Sequence, residues 1–326
     1  MKRKLAVWLA AIVGLGALPF LGTPVYLLHI AVQILLWGTV YTAWALMGRF
    51  GMMSLGHGGF LGIGAYVPTL LWNYYGITPW IGIPLGVALA VLVAVAIGFP
   101  CFRLRVVGHY FALVTLALSE VTERGIVAAR DITGGSLGLT PNTVSGISLF
   151  ALQFPDKRYF FLITLAVWLV GLWVWHRIDG SMTRLSVTAS AEEDAAAAVG
   201  INVTREKLKV LMVSAALTSL GGSMLAQYLM YLNPGTLSGV MVTLQMLFAA
   251  VVGGMYTALG PTVGSALTII LTESLRILFG TRFIGAANTI YGILLIVFTI
   301  FMPVGIWGCV VRRLERRPAA PSFRRS

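Results

Sequence analysis

Residues 80–100, WIGIPLGVALAVLVAVAIGFP, run for twenty-one positions without a charged side chain. A bilayer-spanning helix needs about 20 such residues, and a soluble fold has little use for several of them. Ten segments qualify along the chain: 5–22, 25–47, 54–75, 80–100, 109–129, 158–176, 208–232, 240–256, 259–279 and 286–308. Glycine interrupts the third and the eighth. Charged residues make up 10% of the chain and hydrophobic ones 58%, where a soluble domain carries roughly 25% charged residues. The expected fold class is an all-α polytopic membrane protein with about ten transmembrane helices. Residues 1–309 read as one transmembrane domain and 310–326 as a basic cytoplasmic tail. Neither an internal repeat nor a separate soluble domain stands out.

The opening MKRKLAVWLAAIVGLGALPFLG imitates a signal peptide, with a basic start and an apolar stretch. No small-x-small cleavage site follows and a second apolar span begins almost at once, so a retained first helix is expected. The net charge of +12 could suggest nucleic acid, but the basic residues lie between spans rather than along one face. No nucleic-acid partner is expected. The positive-inside rule accounts for them better. With the N-terminus in the cytoplasm, seventeen of the 23 Lys and Arg residues fall on that side. The six others are Arg124, Arg130, Lys157, Arg158, Arg276 and Arg282. Both termini and loop 177–207 are therefore expected in the cytoplasm, and loop 130–157 outside. Cys101 and Cys309 fall at cytoplasmic span ends, where a disulfide is not expected.

Loop 177–207 contains SAEEDAAAAVG, residues 190–200. Ser190 followed by Glu193 is a capping box, so a helix is expected to start there. Glu192, Glu193 and Asp194 occupy its first turn, where the helix dipole favours negative charge. Ala195 and Ala196 continue it as strong helix formers, and Gly200 sits where a C-terminal glycine belongs. Thr204 is expected to cap the next helix. A helix this short is marginal alone in water, so it must pack on something: its own spans, or the cleft of a cytoplasmic partner.

The run EEDAAAAVGINVTREKLKVLMVSAALTSLGGSMLAQY resembles the M-type permease subunits of ABC importers for branched-chain amino acids. So do GRFGMMSLGHGGFLGIGAY (48–66), RLRVVGHYFALVTLALSEV (103–121), DITGGSLGL (131–139) and AAVVGGMYTALGPTVGSAL (249–267). The resemblance covers roughly residues 35–305 in order. It implies an ABC importer permease fold that forms half of a translocation pathway in a bacterial inner membrane. Ser190, Glu192, Glu193, Asp194, Ala195, Ala196 and Gly200 then belong to the helix that seats on an ATPase. The implied partners are a homologous second permease, two ATP-binding subunits and a periplasmic substrate-binding protein. The chain itself would carry no cofactor, and ATP-Mg would sit in the partner subunits. Two departures from the family stand out. Val187 and Ser190 replace an arginine-bearing stretch, and one extra residue lies near Val106–Gly108.

In SLGHGGFLGIGAY, Gly58 and Gly62 form a GxxxG pair, which close helix packing explains. The functional alternative is a narrow translocation path to which Ser54 and His57 supply polarity. His57 reads as a packing residue rather than a metal ligand, because no Cys, His or acid stands at ligand spacing. Glu120 and Arg124, and likewise Glu273 and Arg276, are spaced to pair on one helix face. GxxxxGK[ST] has no match, so an enzyme or a self-powered ATPase is not expected. The rival reading is a proton-coupled secondary transporter of small organic solutes, with Glu120 and Glu123 as relay residues.

Overall fold

The computed structural model describes residues 14–106, 108–144, 146, 148–181, 200–279, 289, 292–293, 296–297 and 305–315. Nine main helices organise them: α1 (Val25–Gly48), α2 (His57–Tyr75), α3 (Pro79–Arg103), α4 (His109–Ala128), α5 (Lys157–Asp179), α6 (Val203–Leu229), α7 (Val240–Gly253), α8 (Gly260–Phe279) and α9 (Ile306–Glu315). Among the described residues the only β pairing is two isolated bridges, Leu139 with Leu232 and Ser148 with Gln153. The protein is an all-helical, polytopic membrane protein.

Among the described residues, five segments are long and apolar enough to cross a membrane: α1, α3, α5, α6 and Pro234–Gly253, which contains α7. Helix α2 has the length, but its glycines, His57, Asn73 and three tyrosines make it less apolar. Several helix starts follow from capping chemistry. Thr78, Asp156 and Asn202 each accept a backbone N–H of the first turn of α3, α5 and α6, satisfying donors that a helix leaves unpaired. The cap of α6 is therefore Asn202, not Thr204. Thr204 is already helical, and its hydroxyl donates to the Phe102 carbonyl at the end of α3. Glycine with positive φ ends α2 at Gly76 and α7 at Gly254.

Several expected boundaries move, and span 208–232 becomes α6, which starts at Val203 and ends at Leu229. Half of span 5–22 and most of span 286–308 lie outside the described residues; at the end of the latter Gly305 has φ 75°, and α9 begins at Ile306. The tail boundary drawn at 310 accordingly falls inside a helix. Span 54–75 starts at His57, because residues 52–56 form no helix.

Helix α1 runs through the middle of the bundle, with Val32, Leu36 and the stretch from Val40 to Met47 almost completely buried. A helix apolar on all sides belongs there. Helices α5, α6 and α8 pack around it. Lipid supplies no hydrophobic drive for helices to associate, so close backbone contact must do that work. Helix α3 illustrates the point. Gly82, Gly86, Ala90, Ala94 and Gly98 recur every fourth residue and are all buried. This stripe lies against Pro68 of α2 at one end and Leu211 of α6 at the other. Its opposite face presents Leu85, Leu89, Leu92 and Phe99, all 43–64% exposed. Helices α2 and α6 come closer still. A Cβ on Gly64 would overlap the Ser219 backbone, and one on Gly222 would overlap that of Leu61.

Candidate functional site

The segment 51–56 turns the chain back alongside α1, so that α2 starts deep among other helices. Trp44 of α1 donates its indole N–H to the Ser54 carbonyl at 2.9 Å. His57 touches Ser214 in the body of α6, and Ser214 in turn donates to the Ala43 carbonyl of α1. Non-helical backbone at membrane depth is tolerated only where protein groups satisfy it. Here hydroxyls from two other helices, α4 and α7, do so. Leu55 N donates to Thr115 Oγ1 at 3.0 Å, and Ser119 Oγ donates to the Leu55 carbonyl. Gly58 N donates to Thr243 Oγ1 at 2.8 Å, and Gly59 N reaches Ser119 Oγ at 3.3 Å. Ser54 Oγ accepts from Gly56 N at 3.2 Å.

His57 and Ser54 are fully buried. The imidazole Nε2 lies 2.8 Å from Ser214 Oγ and Nδ1 lies 3.1 Å from Ser54 Oγ. Because the Ser214 proton goes to Ala43, the network assigns Nε2–H as the donor to Ser214. Both ring nitrogens are thus engaged with serines, and no group of three His, Cys, Asp or Glu residues gathers for a metal among the described residues. Gly58 and Gly62 face the Ser238–Gly239 backbone. A Cβ on Gly58 would lie 2.6 Å from the Gly239 oxygen, and one on Gly62 would lie 2.5 Å from Ser238 Cβ. The space beside both glycines is filled by protein. Thr115, Ser119, Ser214 and Thr243 complete this site, and sequence reading had not singled them out. Each sits on an otherwise apolar helix, and its partner lies 60 to 185 residues away.

Of the charged pairs, Glu120 accepts from Arg124 at 3.2 Å and Glu273 lies 3.4 Å from Arg276. Glu123 instead rests against the connector before α7: its carboxylate would lie 2.8 Å from a Cβ on Gly239.

The expected helix formed by Ser190, Glu192, Glu193, Asp194, Ala195 and Ala196 lies outside the described residues. Its flanks are described. Gly200 has φ 84°, and Asn202 caps α6. On the other side Asp179, the last residue of α5, is held 2.7 Å from Arg49. The Arg49 guanidinium stacks 3.9 Å over the Trp175 ring and 4.7 Å over Phe50. The side chain is 6% exposed, so this clamp fixes where the loop leaves the bundle.

The family described as branched-chain amino acid transport system / permease component matches residues 26–302. The high-affinity branched-chain amino acid transport system permease protein LivM of Salmonella typhimurium is 30% identical over 258 residues, 71% of this chain and 59% of that protein. LivM of Escherichia coli is 29% identical over the same coverage. A probable branched-chain amino acid transport permease protein LivH of Methanocaldococcus jannaschii is 24% identical over 81% of this chain and 85% of its own length. The match thus spans only 59% of the LivM proteins. No solved structure matches. A family match that runs from the start of α1 almost to α9 takes in the buried start of α2 and every long helix around it, and the chain belongs to the family of branched-chain amino acid transport system permease components.

Proposed function

We propose that the chain is a transmembrane permease subunit of an ATP-driven importer for branched-chain amino acids. It would form half of the translocation pathway. A homologous second permease would supply the other half, and a periplasmic binding protein the substrate. Two ATP-binding subunits would hold ATP-Mg and engage the helix at residues 190–200. The observation that carries the reading is family membership across nearly all the apolar helices in a chain whose sequence offers no GxxxxGK[ST]. Energy must then come from another chain or from a gradient. The distribution of basic residues supports an inner-membrane orientation with both termini cytoplasmic. The Arg49–Asp179 clamp and the Asn202 cap would hold both ends of the coupling loop on that side. The proton-coupled alternative is weaker, because Glu120 is taken up by Arg124.

Co-purification with the ATP-binding subunit tests the coupling step. Ala196→Arg places a large charged side chain where a small one would enter the partner's cleft, and should abolish association at normal membrane abundance. Ser190→Ala should be milder, since a lost cap costs only about 0.5–2 kcal/mol. Undiminished ATPase binding by the Ala196→Arg permease would remove residues 190–200 from the coupling role.

A further inference from the structure

Between Asn142 and Gln153 the loop 130–157 carries no charged residue, and there it closes into a short hairpin. Ser148 and Gln153 exchange two backbone hydrogen bonds, both of 3.0 Å, and Ala151 N donates to Ser148 Oγ at 3.1 Å. The four residues of the turn divide by direction. Ala151 and Leu152 are fully buried, whereas Leu149 is 69% exposed and Phe150 61%. A turn that faces water ordinarily carries Gly, Asn, Asp or Ser. Two large apolar side chains directed outward, beside other exposed apolar groups, mark a contact surface instead.

The turn is held in one place. The Trp80 indole N–H donates to the Leu149 carbonyl at 2.7 Å, and the Thr78 hydroxyl donates to the Phe150 carbonyl. Both outward residues thus have their carbonyls satisfied by protein, as apolar surroundings require. The Phe150 ring meets the Trp72 ring edge-on, with 6.0 Å between centres. Behind the turn, the Gln153 amide accepts from Val144 N at 2.9 Å and donates to the Asn142 carbonyl at 2.8 Å. The Trp72 indole donates to that same carbonyl at 2.9 Å. The hairpin is therefore fastened to the end of α2 and to the first turn of α3.

Its position identifies what covers it. Trp80 and Ile81 in the first turn of α3 are exposed, and the exposed face continues through Leu85, Leu89, Leu92 and Phe99. This face lies opposite the small-residue stripe that packs on α2 and α6. On a helix long and apolar enough to cross a membrane, it is the face left for lipid. The 25 residues of α3 extend about 37 Å at about 1.5 Å per residue. The hydrocarbon core is only about 30 Å thick, so the first turn reaches headgroup level, where tryptophan is enriched. Leu149 and Phe150 widen the lipid face at that level. We propose that the hairpin 148–153 is a membrane-interface anchor, with Leu149 and Phe150 inserted among the lipid chains beneath the headgroups. In the orientation proposed above this is the outer leaflet. The contact is apolar, since the segment has no charge with which to select anionic lipid.

The test uses the purified permease in vesicles of phosphatidylcholine and phosphatidylglycerol, alone and with its partner subunits. Cys101 and Cys309 are replaced by serine, and a nitroxide label is attached to one introduced cysteine. Its collisions with oxygen, which concentrates in lipid, are compared with those of a water-soluble nickel chelate. Leu149→Cys and Phe150→Cys should each give an oxygen-to-nickel ratio at least five-fold above that of Thr143→Cys, an exposed position on the same loop. Both should approach the ratio of Leu89→Cys on the lipid face of α3, and both should keep it in phosphatidylcholine alone. Ratios equal to that of Thr143→Cys would place the turn in water and overturn the anchor. Shielding from both reagents once the partner subunits are bound would also overturn it, by assigning Leu149 and Phe150 to a protein contact. A ratio that collapses without phosphatidylglycerol would contradict apolar insertion.

Discussion

Gly64 and Gly125 are both glycines on apolar helices, and sequence alone does not rank them. At Gly64 an added Cβ would overlap the Ser219 carbonyl, which is helix backbone and cannot swing aside. At Gly125 nothing lies within 4 Å. Gly64→Ala should therefore reduce thermal stability of the detergent-solubilised permease by about 1–3 kcal/mol, the usual cost of overpacking, while Gly125→Ala should melt like the wild type. Gly62→Leu should behave like Gly64→Ala, read as lost membrane abundance or assembly. The GxxxG spacing of Gly58 and Gly62 was visible in the sequence, but its partner was not. That partner is the Ser238–Gly239 connector, a polar turn with no helical periodicity to announce it. The stripe from Gly82 to Gly98 was equally visible as a four-residue repeat of small side chains and went unread, because the apolar length of that segment masked its internal pattern.

At the scale of elements, capping residues decided the boundaries. Asn202 and Thr204 are both acceptable caps by type. The backbone of Asn202 is non-helical and its side chain accepts from Arg205 N at 3.0 Å, whereas Thr204 is drawn to α3. Asn202→Ala should cost about 1 kcal/mol in thermal unfolding, and Thr204→Ala less. The clamp that ends α5 was not legible either, since Arg49 and Asp179 lie 130 residues apart. Arg49→Ala removes the ion pair and the stacking on Trp175 together. The expected loss is about 2 kcal/mol, below the roughly 3–5 kcal/mol of a fully buried pair, because Asp179 keeps a third of its side chain in solvent. Chemical denaturation of the purified permease would measure it. The charged pairs at helical spacing, Glu120 with Arg124 and Glu273 with Arg276, are local and were readable without a structure.

For the whole molecule, hydropathy placed one of its ten expected spans over each of the five described segments that are long and apolar enough to cross a membrane. What it could not supply was the buried start of α2, because a chain that turns back among other helices leaves only glycines and a histidine in the sequence, and its satisfying hydroxyls lie on distant helices. The proposed orientation makes a direct prediction. With Cys101 and Cys309 replaced by serine, a single cysteine at Ala195 should be labelled only from the cytoplasmic face, and one at Thr143 only from outside. The most direct test of an ATP-driven importer is leucine uptake by the reconstituted complex with ATP and the proton gradient varied separately. Uptake should require hydrolysable ATP inside the coupling compartment and continue when an uncoupler abolishes the gradient. Uptake that proceeds without ATP and follows an imposed proton gradient would contradict it.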